Sequence, residues 1–269
     1  MKKIPPHTIR SFRKKIFRFY ALHKRDLPFR KTTDPYRITV SEIMLQQTQV
    51  DRVVPKYLAW IKRWPTWQSL ARATNRDLLT MWSGLGYNRR ALMLHRLAQA
   101  IVTEHRGKLP EDPEMLKTLP GIGPYTSNAI LIFAYNKPLV TIDTNIRRVI
   151  LHELNLPTST SVEELLDIAF QLLPKKRSRD WHNALMDYSR LVLPNRIERI
   201  PALSKQSKFE GSLRQIRGEI IRQLTKKPFV TLEYVSRLLN RSMADVVKAV
   251  EGLEKEKLVT LKRSRIQLT

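Results

Sequence analysis

The chain has 269 residues, with 49 Lys and Arg against 24 Asp and Glu, and it contains no cysteine. A net charge of +25 beside 42% hydrophobic residues excludes a disordered or acidic protein and leaves enough apolar material for a sizeable core. Zero cysteine excludes disulfides, thiol catalysis and thiolate-held zinc or iron–sulfur centres. No apolar run reaches the ~20 residues of a membrane span, and no apolar segment follows the basic N-terminus. The expected setting is therefore intracellular and away from membranes.

In chain order the pattern is mainly helical. Ile9, Phe12, Ile16 and Phe19 recur at helical spacing and predict an amphipathic first helix. A loop with two prolines spans Leu27 to Tyr36. A helix is expected from about Thr39 to Tyr57, bent or ended by Pro55. Asn75 is the expected cap of a helix through Met81, and Gly84-Leu85-Gly86 breaks the chain before a helix over Asn88–His105. Asp112-Pro113-Glu114 reads as cap, first-turn proline and first-turn acid of a helix that stops at Leu119-Pro120-Gly121-Ile122-Gly123. Another helix opens near Pro124, and no strand is expected before the C-terminal region.

Residues 194–208 read as a polar linker that includes Pro194, Asn195, Pro201, Ser204 and Ser207. Beyond it, Leu213, Ile216, Ile220 and Leu224 form one helical stripe, and Thr231 and Ser242 are placed to cap two short helices. A hairpin with the basic tip Lys262-Arg263-Ser264-Arg265 follows. Three helices and a hairpin outline a small winged-helix domain, expected over 204–269 after a larger domain over 1–203.

Positive charge is spread rather than gathered in a tail: +9 over residues 1–30, +8 over 31–204 and +8 over 205–269. Spread basicity on a folded chain suits a long polyanion, and nucleic acid fits it best.

Two segments carry specific chemistry. Gly121 and Gly123 let the chain turn tightly, so that backbone N–H groups at the next helix start can face a phosphate and the loop carbonyls can seat a monovalent cation. Eighteen residues after Tyr125, Asp143 precedes a helical run and reads locally as an N-cap. Together LPGIGPYT and TIDTNIRRV resemble the helix-hairpin-helix and Gly/Pro-loop-aspartate signature of base-excision DNA glycosylases. SEIMLQQTQV, with RDLPFR, DPY and GLGY, resembles the MutY-type adenine DNA glycosylases over roughly residues 8–193.

The resemblance implies a two-lobed, mainly α glycosylase domain that hydrolyses the N-glycosidic bond of adenine opposite 8-oxoguanine or guanine. Glu42 is then the acid that protonates the leaving base, in an apolar pocket that keeps it protonated. Asp143 is the ionised partner of the developing sugar cation, and Asn145 is its polar helper. Tyr125 stands where strand-cutting relatives carry lysine, and a phenol forms no Schiff base, so a monofunctional enzyme is expected. Arg25, Leu27, Phe29, Arg30 and Asp187 are the implied pocket for a flipped base. Gln46, Gln47, Thr48, Tyr87, Gly121, Ile122, Gly123 and Thr126 are the implied DNA contacts. Trp60, Trp64, Trp67 and Trp82 are assigned to the core instead.

Two departures stand out. Family members carry four cysteines for a [4Fe–4S] cluster, whereas Leu193 stands where the first would be and LPNRIERIPAL replaces the cluster loop. No cofactor is expected, and Arg196 and Arg199 are candidates for taking over the loop's phosphate contacts. The domain that inspects 8-oxoguanine is not expected in the last ~60 residues either. The stretch Phe209–Gly218 resembles a segment of some short family members. The expected partner is double-stranded DNA with a mismatched or damaged base, the expected state a monomer, and the expected location the cytoplasm, in association with the nucleoid. Competing readings are a T or U glycosylase for T:G and U:G pairs, and a non-catalytic DNA-binding protein on the same scaffold.

Overall fold

A computed structural model describes residues 3–193, 200 and 209–269. Along the chain run α1 (Pro6–His23), a 3₁₀ turn (Pro28–Arg30), α2 (Pro35–Leu45), α3 (Val50–Arg63), α4 (Trp67–Ala71), α5 (Asn75–Trp82) and α6 (Arg89–Glu104). Then come α7 (Pro113–Thr118), α8 (Pro124–Tyr135), α9 (Thr144–Glu153), α10 (Val162–Leu172) and α11 (Ser178–Val192). The last segment holds α12 (Leu213–Lys226), β1 (Val230–Thr231), α13 (Leu232–Leu239), α14 (Met243–Lys255), β2 (Val259–Lys262) and β3 (Arg265–Leu268). The chain divides into two compact units, residues 1–42 with 109–205 and residues 43–108 with 206–269. No described helix is long and apolar enough to cross a membrane.

In the first unit, Phe12 and Ile16 are the buried residues of α1, as their spacing predicts. They join a core with Ile146, Val149 and Ile150 of α9 and Trp181, Ala184 and Leu185 of α11. The Phe12 and Phe17 rings lie 5.8 Å and 5.4 Å from Trp181. Helix α8 is buried over nearly its whole length, from Thr126 to Ala134. A helix that is apolar all round belongs at the centre of its unit, and α8 thereby gives the hairpin before it a rigid mount.

In the second unit, Trp60, Trp64, Trp67 and Trp82 are all buried. Edge-on contacts of 4.7 Å and 5.5 Å tie Trp60 to Trp64 and Trp82. A further cluster joins Leu79 of α5 and Leu92 of α6 to Ile216, Ile220 and Leu224 of α12, Val235 of α13, Val246 and Val250 of α14, and Ile266 of β3. The three strands form an antiparallel sheet in the order β1-β3-β2.

Most sequence-level boundaries agree within a residue or two. The Asp112 carboxylate caps α7 by accepting from the Met115 N–H at 2.8 Å. The Thr231 and Ser242 hydroxyls cap α13 and α14. Three expectations need correction. The single helix over Thr39–Tyr57 is two, α2 and α3, separated at Gln46–Gln49; Pro55 lies inside α3, which continues to Arg63. The break comes from Gln47, whose φ of +54° no α-helix accommodates. The cap of α5 is Thr74, whose hydroxyl accepts from the Asp77 N–H, and Asn75 is the first helical residue. The hairpin tip is only Arg263-Ser264, because Lys262 and Arg265 are already paired in the strands. The expected linker and domain boundary, with Arg196 and Arg199, lie outside the described residues apart from Ile200.

Candidate active site

Four elements of the first unit converge on two carboxylates. Glu42 comes from α2, Tyr125 from the first turn of α8, Asp143 from the residue before α9, and Arg30 from the 3₁₀ turn. Glu42, Tyr125 and Asp143 are each half-buried, so protein surrounds them while leaving an approach. Burial pushes the Glu42 carboxyl up to about 8, the Asp143 charge adds to the rise, and Arg30 opposes it. At neutral pH Glu42 therefore holds a proton.

Asp143 fills the local role that the sequence gives it. As the N-cap of α9 its Oδ1 accepts from the Ile146 N–H at 2.7 Å, and its Oδ2 accepts from Asn145 Nδ2 at 3.1 Å. Burial raises the Asp143 carboxyl above its ordinary range, and these donors oppose that rise. The helix N-terminus thus limits the effect of burial without reversing it. The two carboxyls differ in their donors: those on Asp143 favour its ionised form, whereas burial dominates at Glu42. Such a division lets one group act as an acid while the other stays anionic. Asn145 is itself oriented by Ser189 of α11, which is fully buried and whose Oγ donates to Asn145 Oδ1 at 3.3 Å. Burial, with the charges of Asp143 and Glu42, holds the Tyr125 phenol well above its ordinary pKa, so it stays neutral.

Beside this pair lies an arginine clamp. Asp187 of α11 is completely buried, and Arg30 grips it in bidentate fashion at 2.6 Å and 3.0 Å. Arg25 adds its Nε at 2.5 Å and its backbone N–H at 3.0 Å. Burial alone would raise the Asp187 carboxyl, but hydrogen bonds and charge from Arg30 and Arg25 outweigh it and hold the pKa below the ordinary range. With its oxygens taken, Asp187 acts on its surroundings by fixing the two arginines. Phe29 is buried inside the 3₁₀ turn that bears Arg30, and Leu27 precedes that turn half-buried.

The hairpin before α8 turns at Gly121, whose φ is +78°. There a glycine avoids the strain that any side chain would meet. Ile122 and Thr126 are buried and anchor the loop, while Gly121 and Gly123 are exposed. Gly123 caps α8 with no side chain and Pro124 follows, an opening that leaves first-turn amides to the backbone or a ligand.

The remaining implied DNA contacts belong to the second unit. Tyr87 is 42% exposed, Gln47 is exposed, and Gln46 and Thr48 are half-buried. Both Gln47 and Tyr87 are left-handed, with φ of +54° and +48°. A non-glycine residue there costs about 1 kcal/mol and persists only where surrounding structure enforces it. The enforcing residue is Arg90, which sequence reasoning did not single out. Its Nη1 donates to the carbonyls of Ile43, Met44 and Gln46 at 2.9, 3.0 and 2.6 Å. Its Nη2 donates to Thr48 Oγ1 and to the carbonyls of Leu85 and Gly86 at 3.0, 3.2 and 3.1 Å. Arg90 therefore holds the peptide just before each left-handed residue, and it stacks between Trp82 and Tyr87 at 5.3 Å and 5.6 Å. The only signal in the sequence is its place three residues after Tyr87, in a stretch rich in arginine.

No group of three or more His, Cys, Asp or Glu suited to a metal occurs among the described residues. The chain also offers no thiolate to an iron–sulfur cluster: Leu193, at the position of the expected first cysteine, is 1% exposed within the first unit's apolar core. The donor set does not fit such a cluster.

The model of the HhH-GPD superfamily of base excision DNA repair proteins matches residues 40–175, which include Glu42, Tyr125, Asp143 and the glycine hairpin. An adenine DNA glycosylase of Mycolicibacterium smegmatis is 36% identical over 224 residues, 76% of each chain. One from Mycobacterium tuberculosis is 45% identical over 133 residues, 49% of this chain but only 44% of that relative's length. Among solved structures, a thermostable thymine-DNA glycosylase superposes with a TM-score of 0.64 at 28% identity, covering 71% of this chain and 89% of its own.

Proposed function

Because the chain belongs to the HhH-GPD superfamily of base excision DNA repair proteins, we propose that it is a monofunctional DNA glycosylase that removes adenine mispaired with 8-oxoguanine or guanine. The observation that carries this reading is the carboxyl pair: Glu42 pushed up to about 8 beside Asp143, whose oxygens are held by Ile146 and Asn145. The adenine DNA glycosylase relatives support the choice of base.

The duplex is bound with the adenine turned out of the stack. The hairpin at Gly121–Gly123 meets backbone phosphates through amides, and its carbonyls offer a seat for a monovalent cation. Glu42 donates its proton to a ring nitrogen of the adenine. The N-glycosidic bond then breaks with its electron pair leaving on the base. Ionised Asp143 offsets the positive charge left on the sugar. Water adds to the anomeric carbon and returns a proton to a site carboxylate, leaving an abasic site. Tyr125 has no amine with which to trap the sugar, so the strand stays intact. Gln47 and Tyr87, held in left-handed conformations, wedge into the duplex at the vacated position. The C-terminal segment is a winged-helix module. The enzyme works as a monomer without an iron–sulfur cluster.

A second reading, removal of thymine from T:G pairs, draws on the likeness to the thymine-DNA glycosylase structure. Duplexes carrying A:8-oxoguanine, A:G, T:G and U:G, treated with the protein and then with alkali, separate the two. Breaks confined to the adenine duplexes are expected. Breaks only at T:G or U:G move the assignment to the second reading, and binding without breaks makes the chain a non-catalytic DNA-binding protein. Breaks without alkali overturn monofunctionality.

A further inference from the structure

The hairpin of β2 and β3 is built against its own stability. Lys262 and Arg265 face each other across the strands, a like-charge pair, and the two residues between them complete the turn. Arg263 and Ser264 have φ of +45° and +62°, so both lie in the left-handed region that a two-residue hairpin turn demands. Asn-Gly or Asp-Gly usually fills such a turn, because those residues reach that region with little strain. Here an arginine and a serine do.

All three cations are exposed, and none forms an ion pair among the described residues. The Arg265 guanidinium instead lies 4.6 Å from the ring centre of Phe229, itself 36% exposed, which holds it at the surface. The neighbouring helix α14 has the opposite character. Its charged residues are Asp245, Glu251 and Glu254 against Lys248 and Lys255, a small negative excess. Asp245 also pairs with Arg241 at 3.2 Å. Between these two elements charge is thus sorted, with a small negative excess on α14 and unpaired cations on the hairpin tip.

From this sorting we propose that the tip of Lys262, Arg263 and Arg265 is a phosphate-binding site for duplex DNA, and that α14 is not the element that reads the duplex. Strain retained at an exposed turn marks a position kept for something other than folding. Three closely spaced cations on a narrow projection match a line of phosphates. The interaction is independent of sequence and separate from the site of base removal. It rests on DNA being the chain's substrate.

The full chain is titrated with an undamaged duplex by fluorescence anisotropy across a range of salt. In the triple variant Lys262→Thr, Arg263→Gly, Arg265→Thr, the slope of log affinity against log salt is expected to fall by roughly 2 to 3, about 0.9 for each phosphate that is no longer neutralised. Low-salt affinity is expected to drop about tenfold or more. Arg263→Gly alone lowers the slope by about 1 while raising Tm by about 2 °C, because glycine relieves the turn. Weaker binding with higher stability has no explanation in misfolding. Lys248→Ala with Lys255→Ala, the α14 control, leaves the slope nearly unchanged.

An unchanged slope in the triple variant overturns the proposal, as does an equal loss in the α14 control. A wild-type chain that excises adenine while the triple variant keeps its slope leaves the glycosylase reading intact and removes this one. A fallen slope in a chain that excises nothing does the reverse.

Discussion

Asp187 and Arg90 are two ionic anchors that use opposite means. In the first unit, Asp187 is an anion sealed from solvent and matched by two cations, Arg25 and Arg30. Full charges meet full charges, and the carboxyl is held below its ordinary pKa. In the second unit, Arg90 meets no carboxylate in its six hydrogen bonds, only five carbonyls and one hydroxyl. Dipoles compensate a buried charge less completely, and burial lowers the Arg90 guanidinium to about 10. A paired charge fixes its partners' side chains. A charge spread over carbonyls fixes backbone, and in this chain it fixes the two peptides that feed Gln47 and Tyr87.

The contrast can be tested at several strengths. The greatest effect is expected from Glu42→Gln, which leaves the first unit's anchors in place but removes the proton. Single-turnover adenine release should fall about 10³-fold or more while duplex affinity holds; retained turnover would remove Glu42 from the chemistry. Next is Asp187→Ala, which strands two arginines and should cost roughly 3–5 kcal/mol in denaturant unfolding. A loss near zero would mean that the clamp is dispensable.

Arg90→Met removes the dipole-bound charge while keeping an apolar stem, and about 2 kcal/mol of stability should go with it. Its distinguishing mark is local: amide exchange should speed up at Gln47 and Tyr87 far more than in α8. Uniform acceleration would show a general loss of stability rather than a released loop.

The pH dependence follows from Glu42. Its folded pKa of about 8 lies above the ~4.3 of an unfolded glutamate, so its contribution to stability is complete below about 4.3 and is lost as pH rises through about 8. Glu42→Gln escapes that loss and should melt above wild type at pH 8, with little difference near pH 4. Wild-type excision should likewise decline as pH rises through about 8, because the acid form disappears. The smallest effect is expected from Ser189→Ala, which frees the Asn145 amide to turn. kcat should fall roughly two- to fivefold with KM unchanged, and a change in KM alone would place Ser189 in binding.

What the sequence disclosed and what it hid follow from range. Caps such as Asp112, Thr231 and Ser242 depend on residues three positions away, so local chemistry suffices. The motifs that mark Glu42, Tyr125 and Asp143 are long enough to be legible in the sequence, although nothing local brings a residue of α2 to one before α9. The break between α2 and α3 was missed because Gln47 is forced into its conformation by an arginine 43 positions later. Asn75 looked like a cap because asparagine commonly is one, but Thr74 lies one residue closer to the extended chain. Ser189 carries no motif and becomes visible only through the amide that it orients.

One feature of the second unit governs how the chain must be made. Leu79 and Leu92 share a core with residues from Ile216 to Ile266, so that core closes a loop of more than a hundred residues. Loop closure of this range delays the packing that rewards it. At ribosomal speeds of about 5–20 residues per second, α5 and α6 wait on the order of ten seconds for their partners. During that interval their apolar faces are open to chaperones or to other nascent chains. A ribosome that stalls before residue 216 leaves a first unit with its own core and a second unit that is half built.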